Sequence, residues 1–247
     1  MRHLSFERLH NVRDLGGYLG EGGRPVRWRT LYRADSLGKL AGRDLERFAA
    51  LGVRTVIDLR YPWEIDRDGR VPTEVEYHNL SIEHRPYDQA ALGADVDPAV
   101  YLAGKYAEVA SDGAAELGEA LTVIARTEGP LVFHCTSGKD RTGLLAALVL
   151  SLVGVGTDDI VADFALTERA TDRLAADWRA RYGGPLWPGY GRAPAALMHR
   201  VLADLSATHG SVRSYVRDRL GVPDAVVTAL RERLLETPVS VGARHQD

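Results

Sequence analysis

Residues 131–133 (LVF) carry the signal of a very short apolar strand. The polar stretch 134–143 (HCTSGKDRTG) follows without a break, and 144–153 then runs almost wholly apolar. Strand, glycine-containing loop, buried helix: this order aims successive backbone N–H groups, and the positive end of the helix, at whatever sits over the loop. No other segment restricts the chain as tightly.

The flanking pattern agrees. Residues 41–51 (AGRDLERFAAL) have apolar positions at helical spacing and stop at Gly52, and 53–59 (VRTVIDL) is a β-rich run short enough for a buried strand. A helix followed at once by such a strand is an α/β signature. Residues 17–34 predict a hairpin about the Gly-rich turn at 21–23, residues 75–82 (VEYHNLSI) a further strand, and the stretch from Pro86 to Pro98 a loop. Helices are expected at 113–127, 158–180, 194–208, 211–220 with Ser211 as cap, and 223–236. The segment 181–194 (RYGGPLWPGYGRAP) reads as a loop or hinge. With no repeat and no low-complexity linker, one domain is expected over 1–237, with a helical excursion at about 160–200 and a frayed tail at 238–247.

Composition narrows the chemistry. The 31 Lys+Arg stand against 34 Asp+Glu, a net charge of −3, which argues against nucleic acid as a partner. The charged N-terminus has no apolar core of signal-peptide length, and the most apolar stretch, 144–156, is too short for a membrane span. A cytoplasmic protein is the expectation, with secretion by a route lacking such a signal left open. The single cysteine, Cys135, excludes an internal disulfide, a multi-thiolate zinc site and a CxxC pair. No HExxH occurs among the eight histidines, so neither a metal nor another cofactor is expected.

The neighbours of Cys135 point to a nucleophile rather than a buried filler. Cys135 and Arg141 have five residues between them, enough chain to wrap one tetrahedral anion. A free thiol ionises near pH ~8.5, and loop amides with a following helix dipole favour the reactive thiolate. The amides of Thr136, Ser137, Gly138, Lys139 and Asp140 bind phosphoryl oxygens in this reading, and Arg141 adds a bidentate clamp that lysine would not reproduce. Cys135 would attack phosphorus to give a cysteinyl-phosphate that water hydrolyses. Thr142 is placed to hydrogen-bond the departing sulfur, and His134 to shape the loop.

The motif HCTSGKDRTG resembles the phosphate-binding loop of the cysteine-based protein tyrosine phosphatases. More closely it is similar to a bacterial tyrosine phosphatase family with HCxxGKDRTG loops, to which secreted mycobacterial and listerial enzymes belong. Residues 11–18 (NVRDLGGY), 31–37 (LYRADSL), 51–60 (LGVRTVIDLR) with Glu64, and 210–235 extend the likeness. The resemblance implies a central mixed or parallel sheet flanked by helices, with a helical lid after the active-site helix, and a metal-independent phosphomonoesterase. Its expected substrate is a phosphorylated protein, phosphotyrosine first, with phosphoserine, phosphothreonine or phosphoinositide also open. A small-molecule phosphate ester (a nucleotide, sugar or inositol phosphate) is the alternative. A phosphate-binding module without catalysis has no need of the thiol, and a sulfurtransferase has no need of this Arg and Thr.

Lys139 adds positive charge that favours substrates with extra phosphates, or merely raises the loop's potential. The leaving oxygen needs a proton, and no Trp-Pro-Asp acid loop is present; Trp187-Pro188-Gly189 lies after the nucleophile and has nothing to donate. Asp58, at the C-terminal end of the VRTVIDL strand, is the first choice as general acid, and Asp140 the second. The alternative is that Asp58 and Arg60 form structural pairs with Glu64 or Arg13. Asn11, Arg13, Asp14 and the Gly16-Gly17 turn, with Arg33, Asp35 and Ser36, form two polar knots expected to support the loop. Tyr182, Trp187 and Tyr190 are candidates for lining the mouth. A lone reactive thiol also predicts peroxide inactivation reversed only by an external thiol.

Overall fold

The computed structural model describes residues 2–86, 96–183, 186–187 and 189–237, with only the backbone of Tyr182. Pro188, the side chain of Tyr182, most of the expected 86–98 loop and the tail 238–247 lie outside the described residues. Five strands, β1 (Arg13–Asp14), β2 (Leu31–Ala34), β3 (Thr55–Asp58), β4 (Glu76–Asn79) and β5 (Leu131–His134), form one sheet in the order β1-β2-β5-β3-β4. β1 runs antiparallel to β2 and every other pairing is parallel, so the sheet is mixed as expected.

Alternation sorts the strand residues between two apolar layers. Leu31, Ile57, Leu131 and Phe133 face one layer, and Tyr32, Val56 and Val132 face the other. The larger layer is closed by α3 (Pro98–Asp112), α4 (Ala114–Arg126), α5 (Asp140–Leu152), α6 (Thr157–Ala165), α8 (Ala195–His209), α9 (Val212–Asp218) and α10 (Asp224–Leu234). The smaller is closed by α1 (Arg43–Ala49) and the N-terminal segment, through Phe48, Phe6 and Leu9. α5 is buried over almost its whole length, which explains its near-continuous apolar run. No described helix is long and apolar enough to cross a membrane.

Three sequence expectations change. The hairpin expected over 17–34 is a short one: Leu19 bridges Pro25 around the turn Glu21–Gly23, whereas β2 pairs with β1 and β5. The helix expected over 158–180 is broken by a tighter 3-10 stretch, Leu166–Ala170, before α7 (Thr171–Tyr182). There the Thr167 hydroxyl accepts from Asn11 Nδ2 at 3.3 Å and from Arg13 at 3.4 Å, while Glu168 accepts the Ala193 amide at 2.6 Å. Tertiary bonds override local helix preference. α3 is an element the sequence reading misses, although Asp97 caps it through the amides of Ala99 and Val100 and Pro98 stands at its first turn.

The registers fix the site. Ala34 on β2 and Asp58 on β3 both sit opposite His134 on β5, so three parallel strands end side by side where the 134–143 loop begins. Functional groups collect at such carboxyl ends.

Candidate active site

The loop is held from outside by its carbonyls. Ser36 N–H donates to Thr136 O at 3.1 Å, Asn11 Nδ2 to Ser137 O at 3.0 Å and to Gly138 O at 3.1 Å, and an Arg33 guanidinium N–H to Gly138 O at 2.8 Å. In a trans peptide C=O and N–H point opposite ways. Anchoring those three carbonyls outward therefore turns the amides of Ser137, Gly138 and Lys139 inward, and among the described residues they meet no acceptor. Gly138 has φ +67°, and a Cβ there would stand 2.5 Å from Ala34 O, so only glycine fits.

Beneath this ring lies a charged hub absent from the sequence reading. Asp163 of α6 takes Arg13 Nε at 3.1 Å, Arg33 at 2.7 Å and the Tyr18 hydroxyl at 3.2 Å, all of them buried. Burial opposes its charge, but the two guanidiniums more than offset this and hold the carboxyl below its ordinary range. Arg13 also donates to Asn11 Oδ1 at 2.5 Å, which orients the amide that holds the loop. Asp35 accepts the His10 and Asn11 amides at 3.0 Å each. Of the two knots expected under the loop, Asn11, Arg13, Arg33, Asp35 and Ser36 are there. Asp14 is not: its carboxylate takes the Gly16 amide at 2.8 Å and the Arg29 amide at 2.7 Å, closing its own turn.

Above the ring is a cavity of about 210 Å³ walled by Cys135, Thr136, Ser137, Lys139, Asp140, Arg141, Tyr61, Trp63, Glu64, Glu83 and Tyr190, among others. Arg141 is held by Glu64 in a bidentate pair at 2.6 and 3.1 Å, and its Nε lies 3.3 Å from Glu83 Oε2. Thr136 Oγ1 donates to Glu64 in a very short bond. Burial disfavours the Arg141 charge, yet Glu64, the Cys135 sulfur and Glu83 outweigh it and push its pKa further up. The Thr142 hydroxyl is fully buried with no partner among the described residues. Cys135 is itself 1% exposed at the cavity floor.

Asp58 does not face this cavity. Its carboxylate is fully buried, bound by Arg60 at 2.9 and 2.6 Å and by the Tyr77 hydroxyl at 2.9 Å, with His134 Nε2 at 3.4 Å. Burial opposes ionisation there, but His134, Arg60 and Tyr77 together pull the carboxyl down to about 2. Asp58 pairs with Arg60 itself rather than with Glu64 or Arg13, and its carboxylate is not part of the cavity wall. His134 is buried, its Nδ1 at 3.2 Å from Cys135 O, and burial lowers its pKa toward the neutral imidazole.

Asp140 is on the cavity wall, with Oδ1 accepting the Tyr106 hydroxyl at 3.1 Å and Lys139 Nζ in ion-pair contact at 3.4 Å. Lys139 is 2% exposed and also donates to Gly189 O at 3.3 Å, tying the segment after α7 to the loop. Of the aromatics expected at the mouth, Tyr190 lines it; Trp187 is buried edge-on against Tyr101, with ring centroids 5.5 Å apart. Sequence reasoning misses the stacked pair Tyr61–Trp63, at 5.6 Å, and Glu83.

The family model described as the tyrosine phosphatase family matches residues 4–236. A Cupriavidus necator protein named as a tyrosine-protein phosphatase is 32% identical over 243 residues, covering 90% of this chain and 85% of that protein. A tyrosine-protein phosphatase of Nostoc commune is 29% identical, covering 82% of this chain and 73% of its own. The triple specificity protein phosphatase PtpB of Mycobacterium tuberculosis is 27% identical, covering 83% and 90%. Superposition on a crystal structure of P. aeruginosa TpbA gives a TM-score of 0.31 at 18% identity over 83% of this chain and 85% of that one, too low to argue from.

Proposed function

Because the chain belongs to the tyrosine phosphatase family, we propose that this phosphatase works through Cys135 and a cysteinyl-phosphate, with phosphotyrosine in proteins as its substrate. The observation that carries the reading is the loop: carbonyls anchored outward, amides turned inward, Cys135 at the floor and the Arg141 guanidinium at the wall. That is a preorganised receptor for three phosphoryl oxygens.

Cys135 Sγ attacks phosphorus in line while the ester P–O bond breaks, and the leaving oxygen takes a proton. Water then attacks the same phosphorus, the S–P bond breaks, and inorganic phosphate leaves. Asp140 is the proton donor in this reading. Tyr106 and Lys139 engage its Oδ1, which leaves Oδ2 for the leaving oxygen. The unpartnered Thr142 hydroxyl is the donor that stabilises the departing sulfur. Tyr61, Trp63 and Tyr190 give the mouth aromatic walls suited to a phenyl ring. Lys139 walls the cavity with its Nζ engaged by Asp140 and Gly189 O, so it adds positive charge there while tying the segment after α7 to the loop.

The test is hydrolysis of p-nitrophenyl phosphate in EDTA, block by vanadate, and a kcat/KM panel of phosphotyrosine peptides against metabolite phosphates. Peptide preference supports the substrate assignment, and metabolite preference overturns it. Full turnover by Cys135→Ser overturns the mechanism.

A further inference from the structure

Glu83 is the one cavity carboxyl for which the mechanism above has no use. It follows β4, is 5% exposed, and sets Oε2 in ion-pair contact with Arg141 Nε at 3.3 Å, while its Oε1 is buried without a partner among the described residues. The other edge of the same guanidinium is already saturated by Glu64. A planar guanidinium grips a phosphoryl group through two parallel N–H donors, and the edge that includes Nε is where Glu83 sits. Phosphate and the Glu83 carboxylate therefore contend for the same charged edge.

Resting on the phosphatase reading, we propose that Glu83 is a positioning residue that pairs with the Nε edge of Arg141 and yields that edge to the substrate when protonated. The groups that face it are Arg141 and Asp140 from α5, Glu64 and Tyr61 from α2 (Pro62–Asp68) and the turn before it, and Lys105 from α3. Burial first, then the Asp140 and Glu64 charges, push its carboxyl up to about 7 against the pull of Arg141. As a neutral acid Glu83 is a weak rival for the guanidinium. As an anion it both pairs with the Nε edge and repels an incoming dianion. The residue thus couples phosphate binding to uptake of one proton and selects against substrate capture at alkaline pH. It acts through Arg141 and exchanges no atom with the substrate.

Tungstate, a dianion across the working range, is the probe, with affinity read by calorimetry from pH 5.5 to 8.5. Both proteins carry Cys135→Ser so that thiol titration does not enter, and they differ only in Glu83→Gln. The two should bind alike at pH 5.5, and the glutamine variant roughly 30-fold more tightly at pH 8.5, as one group ionising near 7 requires. Should Glu83→Gln fail to fold, proton uptake by Cys135→Ser alone serves, measured in buffers of different ionisation enthalpy. It should approach one proton per tungstate at pH 8 and vanish at pH 5.5. Parallel affinity profiles, or no uptake at pH 8, overturn the proposal. A diverging profile in an enzyme that hydrolyses no phosphomonoester overturns the reaction assigned above and leaves the role of Glu83 standing.

Discussion

The two sides of the phosphate loop are built on opposite principles. Beneath it, Asp163 balances Arg13 and Arg33, and the knot around it is bonded closely, Arg33 Nε being a described exception. Above it, two carboxylates crowd one guanidinium, Glu83 Oε1 and the Thr142 hydroxyl lack partners among the described residues, and burial pushes the Glu83 carboxyl up to about 7. The lower side spends its polarity on geometry. The upper side leaves polarity uncommitted, and unsatisfied polar groups concentrate where a ligand is to complete the network.

The sharpest way to break this contrast is at the hub. Asp163→Asn leaves two buried guanidiniums short of charge and should cost about 3–5 kcal/mol, read by urea unfolding. A loss under 1 kcal/mol would mean the underside is not the frame.

Next comes the pH dependence of stability, in which the two sides have opposite signs. Glu83 is raised from its ordinary 4.5 to about 7, so the folded state binds the proton more tightly. Its contribution is full below pH 4.5 and is lost as pH rises through about 7, roughly 3 kcal/mol in all. Glu83→Gln should remove that slope. Asp58 is lowered from 3.8 to about 2. Its contribution, roughly 2 kcal/mol, is present above pH 3.8 and is lost as pH falls through about 2, and Asp58→Asn should flatten that acid limb. Guanidinium melts across pH check both.

Gly138→Ala forces the left-handed turn against Ala34 O and should lower kcat/KM on p-nitrophenyl phosphate roughly a hundredfold, about 3 kcal/mol, with most of the fold retained. The smallest effect is expected from Tyr106→Phe, which removes one hydrogen bond to Asp140 and should cost about 0.5–1.5 kcal/mol of stability. It should also slow phenyl phosphate more than p-nitrophenyl phosphate, since only the poorer leaving group depends on a well-placed acid.

The same contrast explains what was legible in the sequence. The loop could be read because its chemistry is contiguous: Cys135, Gly138, Arg141 and Thr142 stand within one turn of chain. β3 and β5 could be read because short apolar runs after helices have few other uses. Glu83 and Asp163 could not, since each is one acid among many until folding sets it against α5 or against two arginines. For Asp163 a faint signal exists: it sits between Val161 and Phe164 on the buried face of α6, where an acid needs a reason. Asp58 shows a related limit. The carboxyl end of a parallel strand is the right place for an acid, but Arg60 two residues on turns its carboxylate away from the cavity. The break at Leu166–Ala170 was hidden because those residues are acceptable helix formers and only long-range bonds to Thr167 and Glu168 stop them.

The central claim is that Cys135 carries the phosphoryl group. Rapid quenching of the enzyme with labelled p-nitrophenyl phosphate, followed by peptide mass spectrometry, tests it most directly. One acid-labile, sulfur-linked phosphate per active chain on Cys135, formed in a burst before steady turnover, is the result expected here. Steady turnover with no phosphate on Cys135 at any quench time would contradict it.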